Sequence, residues 1–168
     1  MTPEFSRRID IRNLPARPLR LEADAGELVA LARRIGIEAV ERLTAEVTLV
    51  SAGGAVQVTG RVEAAVIQAC GISNEPFAVH VSEPLSLRFV HGITPHKPDE
   101  ELEIDAAACD EIEFEGTQFD LGEQIAQTLS LAIDPYATGP NAERMRKQAG
   151  LGDEASSGAF AGLAALKR

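Results

Sequence analysis

Cysteine, histidine and carboxylate side chains hold metals and move protons, and this chain gathers them into two regions. In the stretch VIQACGISNEPF, residues 66–77, Cys70 stands where a Cys-x-x-Cys pair would begin, and Ser73 occupies the place of the second cysteine. A structural zinc site takes four ligands, commonly from two such pairs, and the remaining cysteine, Cys109, is a singleton far along the chain. A complete zinc site within this chain is therefore not expected. A thioredoxin-like redox pair is not expected either, because the resolving cysteine is missing and no βαβ unit surrounds the motif. Cys70 reads instead as a small packed residue in a polar turn whose exit is set by Glu75 and Pro76.

The second region holds His80, His91 and His96 and then eleven acids without a base between positions 99 and 123. His91 and His96 lack the spacing of a helical His-Glu-x-x-His site, and the acids lack the glycine-containing pattern of a calcium loop. No Gly-x-Ser-x-Gly, P-loop or dinucleotide fingerprint occurs, and Gly53-Gly54 joins two strands, so it does not open a helix over a phosphate. The acids read as a docking surface for a basic partner, with Asp99, Glu100, Glu101, Glu103, Asp105, Glu111, Glu113 and Glu115 as the contact candidates. The catalytic alternative is a metal-dependent ribonuclease using the histidines and acids between 91 and 115. The expectation is a non-catalytic protein with no metal, no cofactor and no small-molecule substrate.

Positive charge is concentrated elsewhere. Arg7, Arg8, Arg12, Arg17 and Arg20 face only Asp10 over the same stretch, although the whole chain carries a net charge of −10. Nucleic-acid affinity comes largely from Lys and Arg on phosphates, so these five arginines are the expected RNA contacts.

The elements that must position these residues follow from periodicity. At 168 residues and 45% hydrophobic content, one domain with an aliphatic core is expected, since only 4% of residues are aromatic. Residues 5–11 alternate as a first strand, and Pro15 and Pro18 keep the next stretch extended or looped. Asp24 and Glu27 form a capping box before Leu28, Leu31, Ala32 and Ile35, with Gly36 as C-cap and IEAVERL as a further short helical turn. From Thr44 the period becomes two: a strand, a Gly53-Gly54 hairpin, a long strand interrupted at Gly60, and a third strand over 77–90 in which Pro84 argues for an edge, a bulge or a split. Residues 91–110 read as a mobile acidic excursion, and EIEFEG as a charged edge strand. Asp120 and Glu123 make a second capping box for a helix carrying Leu121, Ile125, Leu129, Ala132 and Ile133 on one face and ending at Pro135. The expected fold class is α+β: a single domain over 1–139, with an antiparallel β-meander sheet, open or barrel-like, and two packed helices. Residues 140–168 are expected to be a flexible tail with a short apolar C-terminal segment. The arginines at 7 and 8 are not followed by an apolar run, and no stretch approaches the ~20 apolar residues of a membrane span, so a cytoplasmic protein without membrane contact is expected.

Four of these stretches in order, VIQACGISNEPF, VSEPLSLRFV, FDLGEQIAQTLSLAIDPY and AFAGLAALKR, resemble the YceD family, the large ribosomal RNA subunit accumulation proteins, in the form found in Alphaproteobacteria. Many members carry Cys-x-x-Cys-Leu-Glu-Pro at the first motif. Cys70, Glu75 and Pro76 match it, whereas Ser73 and Asn74 depart, so no metal or redox role carries over. Asp120, Leu121, Glu123, Leu129, Leu131, Asp134 and Pro135 match the helix motif. The resemblance implies support for accumulation or processing of large-subunit (23S) rRNA, with rRNA or ribosomal and assembly proteins as partners and no established catalytic activity. A protein-binding adaptor outside ribosome assembly is the remaining alternative.

Overall fold

Alternation of apolar and polar residues over the middle of the chain produces three long antiparallel strands. The computed structural model describes residues 3–92 and 111–149. In chain order the elements are β1 (Arg8–Asp10), β2 (Leu19–Glu22), α1 (Ala25–Ile35), β3 (Ala39–Ala52), β4 (Ala55–Ala69), β5 (Pro76–His91), β6 (Glu111–Phe114), β7 (Gln118–Asp120), α2 (Leu121–Ala132) and α3 (Ala142–Gln148). The fold is α+β. Strands β2-β3-β4-β5-β6 form one open sheet in that order, and β1 pairs with β7 in a separate two-stranded ladder. The sheet does not close into a barrel.

The β3–β4 hairpin turns through Gly53 and Gly54, both at positive φ (60° and 83°), which suits the type I′ geometry that a two-residue hairpin favours. β4 continues through Gly60 without a shift in register. Gly60 lies opposite Val47, and a Cβ there would collide with the Glu46 carbonyl oxygen and the Val47 Cα, so the glycine permits close approach of two backbones. The irregularity lies instead in β3, between Val40 and Arg42. β5 runs unbroken through Pro84 and pairs with β4 from Pro76 to Phe89. On its other side β6 pairs, in parallel, only with Arg88 to His91, so Pro84 sits on an edge.

One face of the sheet carries Val47, Val58, Val62, Val66, Val81, Leu85 and Phe89 into the core. Helices α1 and α2 cover that face: α1 packs on β3, and α2 on β4, β5 and β1. α1 contributes Leu31 and Ala32, and α2 contributes Leu121, Ile125 and Leu129. The few aromatics are used at one junction. Phe89 of β5 stacks on Phe119 of β7 at 3.9 Å, and Phe114 of β6 packs beside Phe119, tying the small ladder to the large sheet.

Four expectations change. Residues 39–43 begin β3 and add no helical turn; Gly36 at φ 80° closes α1, and the chain leaves it extended. The looped stretch after Pro18 contains β2, which pairs with β3. The second capping box is half formed. Asp120 accepts from the Glu123 N–H, but the Glu123 carboxylate turns to Arg34. Part of the expected tail is helical: α3 buries Ala142, and Asn141 before it donates to Glu75. Of the expected excursion 91–110, His91 ends β5, while residues 93–110, with Cys109 and His96, and the C-terminal apolar segment lie outside the described residues.

Candidate functional site

The Cys70 motif is a tight turn between β4 and β5. The Cys70 N–H donates to the Glu75 carbonyl, and the Asn74 N–H donates back to the Cys70 carbonyl, with Asn74 itself left-handed at φ 56°. The buried Cys70 sulfur accepts the N–H groups of Ile72 and Ser73 at 3.5 and 3.4 Å. Its thiol is pulled down to about 6, first by the Ser73 hydroxyl and then by backbone donors of Ser73, Ile72 and Gly139. A sulfur ringed by N–H and O–H donors favours the thiolate.

A second motif converges on this turn. The buried Gln68 side chain donates to the Asp134 carbonyl at 3.2 Å, and Gly71 N–H donates to the Ala137 carbonyl at 3.0 Å. Asp134 caps its own turn by accepting from the Tyr136 N–H. Asn141 Nδ2 donates to Glu75 at 2.7 Å, and a Cβ at Gly139 would crowd the Phe77 ring at 3.1 Å. Cys70, Glu75 and Pro76 thus share one end of the sheet with Asp134 and Pro135. Leu131 and Tyr136, 87% and 83% exposed, stand close by in sequence at the end of α2 and just beyond it.

The other motif residues, Asp120 and Glu123, sit at the opposite end of α2 and hold the N-terminal segment. Asp120 accepts from Ser6 Oγ at 2.5 Å and from the Arg7 N–H at 2.8 Å. Gly122 leaves no room for a Cβ beside the Phe5 carbonyl and the Arg7 nitrogen, so α2 begins directly against this segment. Glu123 receives both terminal nitrogens of Arg34, which also reaches Glu4.

The five N-terminal arginines do not act together. Arg7 is committed to the fold: it donates to both oxygens of Glu27 and to the carbonyls of Ser6 and Glu22, and it lies over the Phe5 ring. That pairing raises the Arg7 pKa and lowers that of Glu27. Arg12 folds back on Asp10 at 2.6 Å, and its guanidinium holds the Asp10 carboxyl at about 2. Arg8, Arg17 and Arg20 are exposed. Of the acids, Glu111 pairs with Arg88, Glu113 and Glu115 are exposed, and Asp99, Glu100, Glu101, Glu103 and Asp105 lie outside the described residues. Among the described residues, no three His, Cys, Asp or Glu side chains are grouped closely enough to share a metal ion, and no helix is long and apolar enough to cross a membrane.

Sequence reasoning misses one cationic surface. On the solvent face of the sheet, Arg20 lies opposite Glu46, and Glu46 opposite Arg61, on three adjacent strands. With Arg42, Thr44 and Glu63 they line a groove of about 160 Å³. The signal was strand parity, since once β2, β3 and β4 are in register these side chains must share the outer face. Compared with protein-family models, curated proteins and solved structures, the chain has no match.

Proposed function

We propose that this protein is a non-catalytic ribosome-assembly factor of the YceD type, acting in the cytoplasm to support accumulation and processing of 23S rRNA. It does so by holding rRNA, basic ribosomal proteins, or both. The observation that carries the reading is the convergence of the two best-matched motifs. Cys70, Glu75 and Pro76 come from the β4–β5 turn, and Asp134 and Pro135 come from the end of α2 more than fifty residues later, yet they are joined by the Gln68, Gly71 and Asn141 hydrogen bonds. The Cys70 turn meets the Asp134–Pro135 end of the helix motif, which supports a shared role for these residues.

At that end Cys70 is buried and its sulfur is engaged by the N–H groups of its own turn, which suits a recognition surface. The exposed Glu113 and Glu115 extend the acidic character of the chain on the far side of β5 and fit a basic protein partner. Depletion of the protein in its own cell should lower large-subunit rRNA relative to small-subunit rRNA, measured by quantitative RNA blotting. Unchanged rRNA would remove this reading. Recovery of only non-ribosomal proteins at low salt would favour an adaptor with another role.

A further inference from the structure

We infer that the outer face of the sheet, centred on Arg20, Arg42 and Arg61, is a contact surface for the sugar–phosphate backbone of single-stranded RNA. The inference rests on the reading of the protein as an rRNA-associated factor and assigns the RNA contact to a particular surface. These three guanidiniums project from β2, β3 and β4 around one groove. Among the described residues none of the three has a carboxylate within salt-bridge distance, in contrast to Arg7, Arg12, Arg34, Arg88 and Arg146, which all do. Arg61 is steadied by donating to Ser82 on the neighbouring strand at 3.0 Å. Adjacent strands lie about 4.8 Å apart. Arg20 and Arg61 therefore flank Glu46 across roughly 10 Å, too wide for one anion and suited to a chain of them.

The companions of the arginines select the kind of chain. Glu46 and Glu63 line the same groove. They would repel the side chains of an acidic peptide. RNA offers them partners, because its 2′-hydroxyls and base amines donate hydrogen bonds while its phosphates accept them from Arg. The outward positions near the groove add the hydroxyls of Thr48 and Thr59, a cross-strand pair, that of Ser82, and the exposed imidazole of His80, which shares a cross-strand row with Arg42 and Ala65, but no Phe, Tyr or Trp ring. With at most the His80 ring to stack on, recognition rests mainly on the backbone and is largely independent of base sequence. The net charge of −10 opposes the approach of RNA, but that repulsion is screened beyond about 10 Å at 0.1 M salt, whereas the arginine contacts are direct.

The test is fluorescence anisotropy of the full chain with a labelled, mixed-sequence single-stranded RNA over a salt series. Arg20→Gln/Arg42→Gln/Arg61→Gln should weaken binding about tenfold or more at low salt and reduce the log–log salt slope by about 2, three contacts at ~0.7 each. The matching triple Lys variant should retain most of the affinity, which separates lost charge from lost fold. Arg8→Gln/Arg17→Gln should bind within about twofold of the parent. The assignment is overturned if the triple Gln variant binds unchanged, if the Arg8/Arg17 variant carries the loss, or if a polyglutamate peptide displaces RNA from the face. Normal rRNA levels on depletion, alongside arginine-dependent RNA binding, would instead leave this surface standing and remove the ribosomal reading.

Discussion

Ser73 stands where a second cysteine would make a metal pair, and it takes over the role of sulfur partner. Its hydroxyl is the leading cause of the depressed Cys70 thiol, with the backbone donors behind it. The side chain that removes the metal option thus stabilises the same thiolate that a metal would have bound. In a Cys109→Ala background, the ultraviolet thiolate absorbance of Cys70 should half-titrate near pH 6. Ser73→Ala should move that midpoint upward, and a titration near the ordinary thiol value of roughly 8.5 in both proteins would refute the account. The sign for stability follows. A thiol depressed on folding stabilises the native state fully above its unfolded pKa, and that contribution is lost as pH falls through about 6. The same scale shows why a run of arginines is a poor guide to a binding face. Arg12 turns back on its near neighbour Asp10, whereas Arg7 found Glu27 twenty residues away, and spacing along the chain carries no information about a partner that lies across a fold.

At the scale of elements, the long hairpin depends on one missing side chain. Gly60→Ala would drive a Cβ into the β3 backbone at Glu46 and Val47. A strand backbone in mid-sheet yields less readily than a side chain, so the substitution should cost about 3 kcal/mol in urea unfolding, the upper end of overpacking. A loss below about 0.5 kcal/mol would mean that the two strands part easily. What was legible at this scale is what is local. The Asp24–Glu27 capping box, the Gly36 cap and the Gly53-Gly54 turn each complete their bonding within a few residues, and all form as read. Residues 39–43 were not legible, because Ala-Val-Glu-Arg-Leu satisfies both periods and the irregularity at Val40 and Arg42 breaks strand parity there. The half-formed box at Asp120 was not legible because Arg34, from another helix, takes the Glu123 carboxylate. α3 was hidden for a similar reason. It has one buried residue, Ala142, and its entry is anchored through Asn141 to a turn far back in the chain. The Cys70 site was read correctly as a packed turn, but its convergence with Asp134 depends on contacts across 66 positions, as in Gln68 to Asp134.

At the scale of the molecule, two ionic clusters bind the helices to the N-terminal segment. Arg7 joins that segment to Glu27 at the start of α1, and Arg34 on α1 reaches both Glu4 and Glu123 of α2. Their guanidiniums lower the Glu27 and Glu123 pKa values. Carboxylates depressed on folding stabilise the protein fully above their ordinary values near 4.3, and that stability fades as pH falls below them. Glu27→Gln/Glu123→Gln should therefore cost about 2 kcal/mol at pH 7 and flatten the acid limb of the stability profile below pH ~4.5. An acid limb as steep as that of the parent would show that other carboxylates govern it. These clusters, with Asp120 holding Ser6 and Arg7, also set an order in time. Among the described residues β1 has a single strand partner, β7, with Arg8 opposite Asp120. At a synthesis rate of about 5–20 residues per second, β1 waits several seconds or more for β7 to be made. Through that interval Phe5 and Ile9, both buried in the finished protein, lack the Phe119, Leu121 and Ile125 side of their core. Residues made early are thus seated late, and a nascent chain halted before β7 and α2 are made would present them to whatever chaperone waits at the exit tunnel.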